Sequence, residues 1–355
     1  MESYKIGILK GDGIGPEIVD EGIKVIQKIA ALNAFKVDFI DEKIGGDAID
    51  AYGVPITDET LKVLSTCEAI LMGSVGDPKY DHIAPELRPE KALLKMRKTL
   101  GLFANIRPAR LYEALKEHSP LKSSILSDGL DICVVRELNG GIYFGEQVES
   151  ADGQSASDLM AYSAPEVKRI AKIAFEMAMT RDKKVTSVDK ANVLASSRLW
   201  RKTVIEVSKD FPEVTLEHLY VDNAAMQLII NPMQFDVILT SNLFGDILSD
   251  EMSVLTGSIG LLPSASINES KLGLYEPIHG SAPSIAGQNI ANPIATILSV
   301  AMMFRYSLGR HDCADQIENA VLKVLNNGHR TIDLAGKDQK SLSTSEIGDL
   351  IAEAL

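Results

Sequence analysis

Eight short runs rich in β-branched and aromatic residues, YKIGIL, AFKVDFI, AILMGS, FANIRP, DICVVRE, KVTSVDK, TLEHLYV and FDVILTS, punctuate this chain and alternate with stretches of helical periodicity. Several runs are almost continuously apolar, which marks strands buried on both faces rather than half-exposed ones. Covering both faces requires helices between the strands, so the expected class is α/β around a largely buried sheet. The helices expected are GPEIVDEGIKVIQKIAAL, PEKALLKMRKTL, PEVKRIAKIAFEMAMTR, SRLWRKTVIEVSKDF, AAMQLIINP, NPIATILSVAMMFRYSL and CADQIENAVLKVLNNG. At 355 residues there is material for about two domains. The segment ELNGGIYFGEQVESADGQSASDLMAYS, 137–163, breaks the alternation and reads as a loop or as a β-rich projection that contacts another subunit.

Charge narrows the partners. A net charge of −13 repels nucleic acid and anionic membranes, and an anionic substrate needs a local cluster of arginines to overcome that field. The N-terminus runs straight into a strand with no export signal, and IATILSVAMMF is too short to span a bilayer. Cys67, Cys133 and Cys313 are few and unclustered, which fits a reducing cytoplasm and neither a disulfide framework nor a thiolate metal site.

The segment SNLFGDILSDEMSVL sets Asp246 and Asp250 one helical turn apart. Like charges at that spacing cost up to about 0.5 kcal/mol, which a cation between them reverses. With Asn242 as N-cap, Phe244, Leu248, Met252 and Leu255 form one face and Asp246, Ser249, Asp250 and Ser253 the other. The segment alone fits a solvated helix or half of a metal site.

Other polar residues stand where strands give way to helices, the edge at which open α/β sheets bind ligands: Ser74, Lys190, Asp222 and Asn242. Caps and turns account for Asp222 and Asn242 equally well; Lys190 is an anion contact, a base or a surface charge. KGDGIGPE has Pro16 where a dinucleotide fingerprint needs its third glycine, so it reads as a tight turn opening a helix, with Glu17 in the first turn. Glu90, Leu93, Leu94 and Arg97 share one helix face, and Arg107 and Arg136 end apolar runs. Three arginines suit bidentate carboxylate binding, and the leucines suit an aliphatic branch. YEPIHGSAPSIAGQNIANP is a small-residue loop able to wrap a nucleotide and carries Glu276, His279 and Asn292.

Over almost its whole length, the chain resembles the β-decarboxylating dehydrogenases of 2-hydroxy acids. The resemblance rests on GDGIGPE, LLKMRKTLGLFANIRP, VVRELNGGIYFG, VDKANVL, VDNAAMQL, NLFGDILSDE and EPIHGSAP followed by IAGQNIANP, all in family order. It implies a two-domain, non-Rossmann fold with a mixed sheet spanning both domains, residues 1–102 and 257–355 binding the cofactor and 103–256 carrying substrate, metal and dimer contacts. It implies a homodimer with shared active sites, NAD, Mg²⁺ or Mn²⁺, and a monovalent cation as an optional addition. In that scheme Asp246 and Asp250 join Asp222 of the partner subunit around the divalent ion. Arg97, Arg107 and Arg136 hold the substrate carboxylates, with Glu90, Leu93 and Leu94 beside the aliphatic branch and the nicotinamide. Lys190 of the partner subunit takes the hydroxyl proton, and Tyr143 protonates the enolate after CO₂ leaves. Cofactor contacts fall on Ile14, Ser74, Gly76, Glu90, Glu276, His279, Gly280, Ser281, Ala282, Ser284, Ile285 and Asn292.

Isocitrate-using relatives carry Ser and Asn where this chain has Lys91 and Leu93. A leucine leaves a third carboxylate unsatisfied and buries an isopropyl group, a difference of about 1–3 kcal/mol that favours 3-isopropylmalate. NAD-specific members have Asp in GSAPDIAG, where this chain has Ser284, so the charge that repels a 2′-phosphate is missing and NAD is expected with weaker discrimination. Alternatives are the same chemistry on D-malate, tartrate or homoisocitrate, a Mg²⁺-dependent lyase or phosphotransferase, and a dimeric binding protein without activity.

Overall fold

The computed structural model describes residues 2–127, 129–337 and 339–355. Two compact units emerge: Met1–Leu102 with Tyr112–His118 and Gly257–Leu355, and Phe103–Leu111 with Ser119–Thr256. The chain is α/β with a large mixed sheet.

In chain order the first unit begins with β1 (Ser3–Gly11), α1 (Gly15–Leu32), β2 (Lys36–Glu42), α2 (Gly46–Tyr52), α3 (Asp58–Leu64), β3 (Ala69–Ser74) and α4 (Glu90–Thr99). The second unit supplies β4 (Ala104–Leu111), β5 (Leu130–Glu137), β6 (Gln147–Glu149), β7 (Ala156–Asp158), α5 (Ala164–Met179), β8 (Lys184–Asp189), α6 (Ala195–Ser208), β9 (Thr215–Tyr220), α7 (Val221–Ile230), β10 (Val237–Thr240) and α8 (Asn242–Leu255). The first unit resumes with β11 (Pro263–Ile267), β12 (Gly273–Pro277), α9 (Ile294–Tyr306), α10 (His311–Asn326) and α11 (Thr344–Ala354).

Strand order in the first unit is β2-β1-β3-β12-β11, parallel except for the β11–β12 pair. The second runs β4-β5-β10-β8-β9, parallel except for β4–β5. Every residue of β3 and of β10 is buried, as their continuous apolar runs require. IATILSVAMMF forms α9 and is buried from Ile294 to Phe304, so its apolarity serves the core. No helix among the described residues is long and apolar enough to cross a membrane.

Four local expectations need correction. Residues 112–118 join the first unit, because Leu115 is fully buried and Arg330 Nη2 donates to the Ala114 carbonyl at 2.9 Å. Arg107 lies in the middle of β4, which continues through Pro108 to Leu111. The N-cap of α8 is Ser241, not Asn242, whose side chain turns away from the helix. On α8 itself Ser249 and Ser253 are buried while Ile247 and Val254 are exposed, so of the polar face only Asp250 is exposed and Asp246 partly so. The 137–163 segment forms an antiparallel ribbon, β6 with β7, whose residues are exposed.

Candidate active site

In the first unit the turn after β1 is held by its neighbours' backbone. Asp12 N donates to Ser74 O at 2.6 Å and Ile14 N to Ser281 O at 2.9 Å. Gly13 has φ +59°, and a Cβ there would lie 2.0 Å from Ser281 O, so only glycine permits this approach. The buried Asp12 carboxylate accepts from Gly46 N at 2.8 Å and Gly76 N at 2.8 Å, tying the turn to the segment after β3. Ser74 Oγ donates to Asp12 O, a structural bond. Glu17 accepts from Gly287 N and from Asn289 N, so it anchors the small-residue loop as well as complementing the helix dipole.

Beside this turn lies a cavity of about 390 Å³ lined by Ile14, His279, Gly280, Ala282, Ile285 and Asn292, together with Ser258, Ile259, Gly260, Ile290, Ala291, Ile332 and Asp333. Its walls are mostly apolar with a few convergent polar groups, the usual make-up of a small-molecule or cofactor pocket. His279 Nδ1 lies 2.9 Å from Gly280 O, and its Nε2 is buried without a protein partner among the described residues. Burial lowers the imidazole below its ordinary range, leaving it neutral. An orphaned ring nitrogen in such a cavity fits a bound nucleoside. Asp333 was not legible as a site residue; its carboxylate accepts from Ser258 Oγ at 2.5 Å, Thr331 Oγ1 at 2.5 Å and Asn292 Nδ2 at 3.1 Å. Ser284 is exposed and lies outside the cavity lining.

Also in the first unit, Arg97 and Glu276 are buried together with Nη2 and Oε1 3.2 Å apart. Glu90 is exposed and stands beside Gly76, while Leu93 is half-buried against the core and Leu94 is half-buried. The shared helix face therefore spans a gradient from solvent at Glu90 to core at Arg97.

The second unit gathers charge. Arg136 Nη1 pairs with Asp246 Oδ1, Arg107 Nη1 lies 3.5 Å from the same oxygen and 3.7 Å from Asp250 Oδ1, and Tyr143 Oη donates to Asp246 Oδ2 at 2.7 Å. Burial alone would raise the Asp246 carboxyl; Arg136, the Tyr143 bond and Arg107 outweigh it, and the net direction is down. Asp250 moves up, from partial burial first, with Arg107 opposing and the Asp246 charge adding. Tyr143 is raised by burial and by its bond to Asp246, so the phenol holds its proton.

Lys190 Nζ lies 2.8 Å from Asp222 Oδ2, just past the ends of β8 and β9. That contact holds the exposed Asp222 carboxyl below its ordinary value. Two residues that sequence reading missed shape the Lys190 turn: Asp189 accepts from Ala191 N at 2.9 Å and pairs with Arg201, and Ser197 Oγ accepts from Lys190 N at 3.1 Å.

The ligand atoms that Asp246 and Asp250 offer are oxygens only, and the Asp246 charge is felt at Asp250, which fits a hard divalent cation. Among the described residues no three His, Cys, Asp or Glu side chains come together to hold a metal within one chain. The structure thus brings Asp246 to Asp250 and leaves Asp222 with Lys190.

The sequence profile of isocitrate/isopropylmalate dehydrogenase matches residues 5–351. The chain is 55% identical over 357 residues to the 3-isopropylmalate dehydrogenase of Clostridium acetobutylicum, covering 100% of both. It is 57% identical to that of Wolinella succinogenes, covering 99% of this chain and 98% of the other. Among solved structures, isocitrate dehydrogenase from Methylococcus capsulatus superposes with a TM-score of 0.87 at 34% identity, covering 99% of each chain. With a profile match over nearly all its length and full-length relatives above half identity, the chain belongs to the isocitrate/isopropylmalate dehydrogenase family.

Proposed function

We propose that the chain oxidatively decarboxylates (2R,3S)-3-isopropylmalate to 2-oxo-4-methylpentanoate and CO₂ with NAD⁺, a step of leucine biosynthesis. The observation that carries the chemistry is the convergence of Arg107, Arg136 and Tyr143 on Asp246. The substrate rests on the relatives named 3-isopropylmalate dehydrogenase and on Leu93 and Leu94, which offer apolar surface to an isopropyl group.

Arg107 and Arg136 take a substrate carboxylate, and Arg97 takes another. Lys190 of the partner subunit receives the hydroxyl proton as the carbinol carbon is oxidised, in its neutral form and so with its ion pair to Asp222 broken. Decarboxylation then leaves an electron pair on the adjacent carbon, and the protonated Tyr143 supplies the proton that quenches it. When bound, the dinucleotide accepts the hydride and the divalent cation acts as a Lewis acid on the substrate oxygens. Residues lining the cavity, with Ser281, Glu276 and Glu90, would hold the dinucleotide; Asp246, Asp250 and Asp222 of the partner subunit would hold Mg²⁺ or Mn²⁺.

The second copy is supported by apolar residues left exposed on α7 and α8: Met226, Ile229, Ile230, Ile247 and Val254, with Ile230 62% exposed. A cytoplasmic setting is supported by three buried, unpaired cysteines.

Initial rates with 3-isopropylmalate and Mg²⁺, using NAD⁺ and NADP⁺ in parallel and isocitrate and D-malate as controls, test the proposal. Turnover confined to 3-isopropylmalate, with NAD⁺ preferred over NADP⁺, is expected; no reduction of either dinucleotide with any of these acids rules it out.

A further inference from the structure

Asn242 gives up the ordinary use of its position. Ser241 is the N-cap of α8 and makes no side-chain capping bond, and the Asn242 side chain points away from the helix it begins. That side chain is 2% exposed. An amide has two acceptor sites and two donors, and all four are used here. Oδ1 accepts from Arg136 Nε at 3.1 Å and Nη2 at 2.8 Å; Nδ2 donates to Leu138 O at 2.9 Å and Gly140 O at 3.2 Å. With two of its nitrogens engaged this way, the guanidinium directs Nη1 at Asp246.

The carbonyls on the other side belong to the turn leading to Tyr143. Glu137, fully buried, grips the same turn by its N–H groups, accepting from Asn139 N at 2.9 Å and Gly140 N at 2.8 Å. Gly245 lets α8 approach closely, since a Cβ there would meet Arg136 Cγ at 2.6 Å.

We propose that Asn242 is a positioning residue whose amide locks the carboxylate-binding Arg136 to the turn carrying the proton donor Tyr143, so that substrate placement and proton delivery share one geometry. The inference rests on the reaction proposed above.

Two variants separate its halves. Asn242→Asp keeps an acceptor for Arg136 and loses both donors to the turn, so kcat falls about 10- to 100-fold while KM stays within about threefold. Asn242→Ala loses both halves, so kcat falls and KM also rises about tenfold or more. In D₂O the wild-type enzyme should place deuterium on one face of the product carbon next to the keto group; Asn242→Asp should give both faces, as water replaces a misplaced Tyr143. Thermal melting and NAD⁺ affinity near wild type report that the variants fold. Equal KM changes in the two variants, single-face deuteration retained in Asn242→Asp, or failure of both to fold would overturn the proposal. A wild-type enzyme inert toward 3-isopropylmalate would instead show, before any variant is made, that the reaction itself was misassigned.

Discussion

At the carboxyl ends of β1 and β3, the first unit builds its site from backbone: carbonyls of Ser74 and Ser281 receive the N–H groups of Asp12 and Ile14, and the cavity beside them is largely apolar. At the ends of β5, β8 and β10, the second unit builds from charged side chains. There Arg107, Arg136 and Asp246 satisfy one another, Lys190 and Asp222 form a separate pair, and apolar residues of α7 and α8 remain exposed. The cavity of the first is lined within one chain. The second has Asp246 and Asp250 in one place and the Lys190–Asp222 pair in another, with no cluster of three His, Cys, Asp or Glu side chains among the described residues. A backbone-built site depends on close approach; a charge-built one depends on which partners are present.

The largest effect should come from separating the two charged pairs. Lys190→Met and Asp246→Asn enzymes should each lose turnover by about 10²- to 10⁴-fold while remaining folded. Co-expressed, they should recover about a quarter of wild-type activity, since half of randomly paired dimers would carry one intact site. No recovery from confirmed mixed dimers would break the shared-site reading.

Close approach is tested next. Gly13→Ala combines a left-handed backbone with a Cβ 2.0 Å from Ser281 O, and about 2–5 kcal/mol of stability should be lost in urea melts. Gly153 has φ +67° with nothing within 4 Å, so Gly153→Ala should cost only about 1–2 kcal/mol. Equal losses would mean that backbone conformation, and not contact, governs the turn.

A smaller effect concerns His279, whose value is lowered by burial from 6.5. Just below 6.5 the unfolded chain takes up a proton and the folded chain does not, so this contribution to stability shrinks as pH falls until the folded imidazole also protonates. Melts between pH 5 and 8 should show that slope in the wild type and a shallower one in His279→Gln. The smallest effect is expected from Ser284→Asp: at an exposed position the added charge should raise NAD⁺ preference over NADP⁺ by about 3- to 10-fold, read from kcat/KM ratios. No change would place the discrimination among the residues that line the cavity.

Much of the fold was legible because its signals are local. α1 begins and ends where Pro16 and the apolar periodicity place it, and the buried strands announce themselves as apolar runs. β11 and β12, PSASI and GLYEP, were not legible: short, small and proline-bearing, they are strands through their mutual pairing and that of β12 with β3. α11 opens on a capping box, Ser343 with Glu346, a local signal of the same kind as those of α1. Of the candidate site, the sequence offered Arg107, Arg136, Tyr143, Asp246, Lys190 and Asp222, and their contacts appear only in the fold, whereas Asp333, Glu137 and Asp189 looked like ordinary acids until their partners were seen.

By itself the sequence determined the α/β class, most element positions and the set of ionisable groups available, because each follows from residues a few positions apart. Only the tertiary structure decided what those groups do. Asn242 meets Arg136 across 106 residues and Tyr143 meets Asp246 across 103. Whether a carboxylate stays ionised, an amide caps or clamps, or a turn tolerates a side chain depends on neighbours that only the folded chain supplies.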